Sequence, residues 1–530
     1  MKTTYNKICF GICLLGGALA GSCTGDYMDY NRNWAEVSPE ETERDEYLVS
    51  SLLGGMQSNV IPVEEHLNQF TECLMGGVWG GYFADSQVWA NSFSYFNPSQ
   101  DWLGKMYLEI IPNVYSNWLS LQAATKDETI LAVGQIVKAA AFQRVTDTYG
   151  PIPYSRIGSD GKVTAPLDTQ REVYEKIFEE LDAAVATLTE HRTSSISAAA
   201  DKVYSGDIEK WIKFANSLKL RMAIRMSGVE PEARRIAEEE QRAKEAVDTT
   251  DGKLGVMTSN DDNAQLSGIN VNPFYKVAYE YNGGETRISA DLLNYMKSWN
   301  DPRISAYAKK STFTDAVNDY WGLRIGNEYP ITSGQAYSNL NIGQSDPLLW
   351  MNVSEVMFLR AEAALYGWDT GDTAENFYRR GVELSFAKWN AGDAASYLSS
   401  QNRVGAYNDP KGQYAFVPDT KCVPAWNSLD PELQLEQIIT QKWIANFPLG
   451  HEAWAEFRRT GYPKLAAAPV NRSGGDVADG KFARRLIYPS DEYKTNGVNL
   501  NRAVGKDLSN GGDRLSTHVW WDCNPKLVNE

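Results

Sequence analysis

Residues 438–465 read IITQKWIANFPLGHEAWAEFRRTGYPKL, and the two halves of this stretch pose different problems. In the first half Leu435, Ile438, Ile439, Trp443 and Phe447 recur at spacings of three and four, which puts one apolar face on a helix. The second half crowds His451, Glu452, Trp454, Glu456, Phe457, Arg458 and Arg459 between Pro448-Leu449-Gly450 and Gly461-Tyr462-Pro463. Two readings of that crowding follow. Charges beside buried aromatics can form a satisfied ion-pair network, because an unpaired buried charge is strongly destabilising. Alternatively the arginine pair can hold the carboxylates of a ligand, since guanidinium matches carboxylate in a two-pronged geometry.

Working outward, amphipathic periodicity continues on both sides. Leu103, Tyr107, Ile110, Val114, Trp118 and Leu121 mark a helix with Pro112 inside it, where a kink or break is expected. Glu128 to Thr148 continues into Tyr149-Gly150-Pro151-Ile152-Pro153, a turn that ends the helix. Thr169 and Glu172 form a capping box before Val173, Ile177, Leu181 and Leu188. Asp207 to Met226 carries Trp211, Phe214, Leu218 and Met222 on one face, and Glu230 to Val247 reads as a solvated helix. Further helices are expected over Asn352 to Tyr366, Thr373 to Trp389 and Pro431 to Phe447, and a first one over Asp45 to Gln57 with Leu48, Leu52 and Met56 inward. These are pairs of helices joined by short turns, a mainly α fold of helical hairpins.

Two stretches break the pattern. Residues 75–102, MGGVWGGYFADSQVWANSFSYFNPSQDW, are rich in Gly, Asn, Ser and aromatics without a helical period. Glycine pairs at 76–77 and 80–81 are expected to loosen the backbone around Trp79 and Tyr82. Residues 248–349 form a large loop-rich insertion with one helix near Ser289 to Trp299. Long irregular segments in a compact chain are often functional. Surface indole is costly unless something covers it, either the protein's own helices or a ligand.

Composition limits the function. The 530 residues are 43% hydrophobic and 22% charged, a globular balance. Residues 1–22 carry Lys2 and Lys7, an apolar run over Ile8 to Ala20 and small residues directly before Cys23, the layout of a signal segment ending in a lipidated cysteine. Ordinary secretory cleavage near the same point is the alternative. Loss of the two lysines takes the net charge from −17 to −19, which disfavours nucleic acid and anionic polymers. Residues 23–44 read as a tether and 45–530 as one domain, and no later run is apolar enough to cross a bilayer. Cys73, Cys422 and Cys523 remain, with no CxxC pair, so their disulfide state stays open.

Enzyme signatures are missing: His451-Glu452 lacks the second histidine of HExxH, and neither GxSxG nor GxxxxGK[ST] occurs. The four histidines share no spacing, so no zinc site and no cofactor are expected, while calcium held by Asp and backbone oxygens stays open. Binding is the better expectation. A sugar ring wants a flat aromatic against its C–H face and Asn, Asp, Gln or Arg around its polar rim. Trp79, Tyr82, Asp85 and Trp89 supply that mixture in the first loop segment, and Tyr320, Trp321, Arg324 and Asn327 in the second. For each aromatic, packing of the insertion onto the helices is the competing reading.

The run QKWIANFPLGHEAWAEFRRTGYP resembles the C-terminal signature of the SusD/RagB family, surface nutrient-binding lipoproteins of Bacteroidetes. FQRVTDTYGPIPY at 142–154, WIKFANSLKLR at 211–221, NDPR at 300–303, SEVMFLRAEAA at 354–364, the segment from Arg484 to Glu492 and Trp520-Trp521 resemble the same family, in order along nearly the whole chain. The resemblance implies a tetratricopeptide-like scaffold of helical hairpins and a lipoprotein of the outer membrane facing the cell exterior. It further implies a partner, a SusC-like TonB-dependent barrel, to which captured oligosaccharide is delivered. A peptide ligand, as in RagB-like relatives, is the main alternative, and an exported glycoside hydrolase a second.

Overall fold

The computed structural model describes residues 47–158, 164–229, 233–314, 318–508 and 510–528. Cys23, the signal segment and the tether of residues 23–44 lie outside them. In chain order the principal helices are α1 (Tyr47–Gln57), α2 (Ile111–Ala124), α3 (Glu128–Tyr149), α4 (Gln170–Glu190), α5 (Ile208–Met226) and α6 (Ala233–Val247). They continue as α7 (Ala290–Ser298), α8 (Val353–Leu365), α9 (Ala374–Lys388), α10 (Pro431–Ala445), α11 (Gly450–Thr460) and α12 (Ser490–Asp507). Successive helices pack pairwise: α2 on α3, α3 on α4, α4 on α5, α5 on α6, and α8 on α9, with α8 also against α5 and α10. This is the helical-hairpin scaffold the periodicity and the resemblance anticipate.

Local chemistry explains the boundaries. Thr169 and Glu172 form the reciprocal capping box at the start of α4, Thr169 Oγ1 accepting from the Glu172 amide at 3.1 Å and Glu172 Oε2 from the Thr169 amide at 2.8 Å. Ahead of Pro112 the helix widens into a π-helical stretch at Met106–Ile110, so the ring sits in the first turn of α2 where its missing N–H costs nothing. In α1 the buried face is Leu53, Met56 and Gln57, while Leu48 is exposed, one step round from the expected Leu48 and Leu52 face.

Asp147 on α3, Arg221 and Arg225 on α5, Glu355 and Glu362 on α8, Lys442 on α10 and Glu452, Glu456 and Arg459 on α11 meet in the core as one ion-pair network. Arg225 donates to Glu456 at 3.0 Å, Asp147 at 3.0 Å and Glu452 at 2.5 Å. Arg221 grips both oxygens of Glu355 at 2.7 and 2.9 Å, and Arg459 both oxygens of Glu362 at 2.6 and 2.8 Å. Arg458 donates to the backbone carbonyls of Asp147 and Arg484 and lies 3.6 Å above the Trp454 ring. Every arginine of the crowded stretch is consumed internally, so the stretch that decides the fold is a fastening between helices and not a ligand clamp.

Two small antiparallel sheets tie in the loop-rich segments. β1 (Phe83–Asp85) pairs with β3 (Thr286–Ile288), and β2 (Ala264–Leu266) with β4 (Leu348–Met351). Beside the first sheet the Leu323 amide donates to the Ile288 carbonyl at 2.8 Å, and the Ser289 amide to the Tyr82 carbonyl at 2.8 Å. Gly322 is required at this junction, since a Cβ there would lie 2.1 Å from the Ser289 carbonyl oxygen. The expectation of a loose backbone at the glycines of residues 76–81 is corrected. The chain is helical through Trp79, and a Cβ on Gly450 would stand 2.4 Å from the Gly76 and Gly77 backbone. Small residues there permit close packing of this helix on α11. Cys73 and Cys422 are free thiols.

Candidate functional site

The two loop-rich segments are joined. Asn327 Nδ2 donates to the Asp85 carbonyl at 3.1 Å and to the Arg324 carbonyl at 2.9 Å, and the Tyr95 hydroxyl donates to the Asn327 carbonyl at 2.6 Å. A small apolar cluster of Ala84, Phe313, Leu323, Tyr329 and Tyr337 lies beneath the seam, with Trp321, Ile325 and Tyr414 packed partly exposed against it.

Of the eight residues singled out in the sequence, five serve this seam and the core beneath it. Trp79 is 5% exposed, donates its indole N–H to the Phe93 carbonyl at 3.0 Å and packs 4.9 Å from Trp454. Tyr82 is fully buried, stacks on Trp443 and donates to its carbonyl at 2.5 Å. Asp85 accepts from the Gln87 amide at 2.7 Å and the Ser92 hydroxyl at 3.0 Å, and burial raises its pKa. Arg324 donates to the Ala466 carbonyl at 3.0 Å over the ring of Phe416, and burial lowers its pKa. Asn327 spends its amide on the Asp85 and Arg324 carbonyls. The sequence reading has these five side chains facing a ligand; the structure buries all five and pairs their polar groups inside the protein.

The other three are placed differently. Trp321 is half-buried, its inner edge against the apolar cluster, with the Lys297 ammonium 3.8 Å from its ring centroid and Lys297 in turn 2.8 Å from Asp319. Tyr320 is also half-exposed, and its hydroxyl has no hydrogen-bond partner among the described residues; burial, then Asp319, raises its pKa. Trp89 is half-exposed and meets Trp102 edge-on at 5.2 Å. Lys297 over the Trp321 ring, its partner Asp319 and the free tyrosine hydroxyl set polar groups around a half-buried aromatic.

Sequence reasoning missed the residues that connect these rings. Arg472 donates to the Trp89 carbonyl at 3.4 Å and pairs with Glu328 at 2.5 Å while lying 4.2 Å over Tyr95. The Glu328 amide donates to the Tyr414 hydroxyl at 3.0 Å. Asp409 holds this corner, accepting from the Tyr337 hydroxyl at 2.5 Å, from Tyr329, and from the Tyr414 amide at 3.0 Å. The signal was present: residues 401–416, QNRVGAYNDPKGQYAF, have the same Asn-, Gly- and Tyr-rich character as the other two segments. Among the described residues no three His, Cys, Asp or Glu side chains gather into a metal-holding group, and no helix is long and apolar enough to cross a membrane.

Comparison with known proteins gives the lineage. The SusD-like family model, described as Susd and RagB outer membrane lipoprotein, matches residues 29–522. A SusD homologue from Bacteroides uniformis is 43% identical, with 90% of this chain and 100% of that chain covered and a TM-score of 0.85. One from Bacteroides ovatus is 40% identical, covering 91% and 100%, at a TM-score of 0.86. A chitin-binding SusD homologue from Flavobacterium johnsoniae is 34% identical, covering 90% and 99%, at 0.84. No curated protein matches the chain. With a family model spanning nearly its whole length and solved homologues superposing over nine-tenths of it, this chain belongs to the SusD-like family of outer membrane lipoproteins.

Proposed function

We propose that the chain is a cell-surface glycan-binding lipoprotein, anchored through Cys23 with residues 23–44 as its tether and 45–530 as one binding domain. It captures oligo- or polysaccharide and delivers it to a SusC-like TonB-dependent barrel, and it performs no hydrolysis. The observation that carries this reading is half-buried Trp321, backed by an apolar cluster, with Lys297 and its partner Asp319 on its ring and half-buried Tyr320 next to it in the chain. A flat ring held rigidly on one side presents its other parts to a sugar's C–H face at little entropic cost. The acidic chain, at −17 overall, favours a neutral polymer. The chitin-binding homologue from Flavobacterium johnsoniae supports a glycan over a peptide.

Affinity electrophoresis through gels containing single neutral polysaccharides tests the reading. Retardation by at least one, without release of reducing ends, is the expected result. Retention by none, together with binding of a peptide library, would replace the glycan with a peptide.

A further inference from the structure

A second cleft, of 440 Å³, opens between the sheet of β2 and β4, the C-terminal end of α9 and the turn at Phe447-Pro448. Its size suits a one- or two-ring ligand. The apolar side is formed by Trp389, Phe447 and Pro448, and the polar side by the amides of β2 and its neighbours and by Asp346, whose carboxylate accepts from the Gly343 amide at 2.8 Å. Most of those amides are already committed: Asn272 donates to the Asp346 carbonyl at 2.9 Å, and Asn263 accepts from the Val353 amide at 2.8 Å. Gln265, half-exposed on β2, makes no side-chain hydrogen bond among the described residues.

Lys388, the last residue of α9, also lines this cleft. Among the described residues no carboxylate pairs with it, and its ammonium stands 5.1 Å from the Trp389 ring. That contrasts with the core, where Lys442 lies 3.3 Å from both Glu452 and Glu456. Lys388 keeps part of its surface exposed, yet the density of protein around its ammonium brings its pKa down to about 8. A partly exposed ammonium without a carboxylate partner, beside an indole and a free amide, is open to a ligand's carboxylate.

We infer that this cleft binds a single carboxylate-bearing sugar unit of the uronic acid type, its carboxylate on Lys388, its ring against Trp389 and its hydroxyls on Gln265. The indole favours a pyranose over a peptide terminus, because a ring offers a flat C–H face. One unpaired lysine in an acidic chain suits one carboxylate and not a polyanion. The site shares no residue with the Trp321 face, and its occupancy is independent of what that face binds.

The test is calorimetry on the full chain with digalacturonic acid and its neutral counterpart galactobiose. Digalacturonate should bind at least tenfold more tightly, and Lys388→Gln should abolish the preference. Equal affinities or a preference surviving Lys388→Gln would overturn the assignment. Should Lys388→Gln fold poorly, amine-reactive labelling of the unmutated protein decides: Lys388 should be protected by digalacturonate and not by galactobiose, and absence of protection overturns the proposal.

Discussion

Asn327 and Asp85, 242 residues apart in the chain, are joined at 3.1 Å by an amide-to-carbonyl hydrogen bond that closes the seam between the two loop-rich segments. The bond lies in a buried setting, where a lost partner leaves the other group unsatisfied. It makes the two segments one rigid platform on the helical frame. Trp321 and Tyr320 stay partly exposed on this platform.

The frame beneath depends on the central arginine. Arg225→Met removes three charge-assisted hydrogen bonds and leaves Glu452, Glu456 and Asp147 buried with fewer partners. A loss of about 3 to 5 kcal/mol is expected from breaking such a buried network on one side. Denaturant unfolding followed by far-ultraviolet circular dichroism measures it, and a loss under about 1 kcal/mol would mean that the network contributes little.

His451 gives the fold an acid-sensitive joint. Burial, opposed by Glu72 and reinforced by Arg144, lowers its pKa from 6.5 to about 4, and its Nε2 faces the Thr71 carbonyl at 2.9 Å. The folded pKa is depressed, so below pH 6.5 the unfolded chain takes up the proton first. This contribution to stability is complete above pH 6.5 and falls away as pH drops toward 4, by up to about 3 kcal/mol. His451→Gln should flatten the difference in unfolding free energy between pH 7 and pH 4.5 relative to the parent. An unchanged difference would assign the acid sensitivity to other groups.

At Gly450 α11 packs directly on the backbone of the helix ending at Trp79. Gly450→Ala places a methyl 2.4 Å from backbone atoms of Gly76 and Gly77, which cannot rotate away. We expect a loss of about 1 to 3 kcal/mol, the range for overpacked sites, read from the same unfolding curves. A neutral result would show that the two helices can separate freely.

The proposed membrane attachment rests on Cys23. Cys23→Ser removes the thiol that would carry the lipid, and the protein should move from the detergent phase to the aqueous phase on phase separation. Persistence in the detergent phase would point to another anchor.

How much of this was legible beforehand differs by scale. Helix positions followed from apolar spacing and caps, as at Thr169 and Glu172, because one side chain and its near neighbours decide them. The ion-pair network was legible as a choice between two readings, and burial resolved it. The loop segments were located, but their side chains were not sorted. Trp79 and Trp89 sit ten residues apart in similar company, yet one lies against Trp454 and the other keeps part of its surface exposed. The difference is made by partners hundreds of residues away, such as the Trp443 carbonyl that takes the Tyr82 hydroxyl. No local pattern in residues 75–102 contains that information. Tyr414 and Arg472 escaped for the same reason, since their role comes from where the chain returns.

The most direct measurement is the affinity of Trp321→Ala and Trp79→Ala, beside the unmutated protein, for the neutral polysaccharide that retards it in a gel. Trp321→Ala should keep its melting temperature and lose about 1 to 3 kcal/mol of binding, while Trp79→Ala should lose about 3 to 5 kcal/mol of stability as a buried large-to-small change. Unaltered glycan affinity in a well-folded Trp321→Ala would contradict the account.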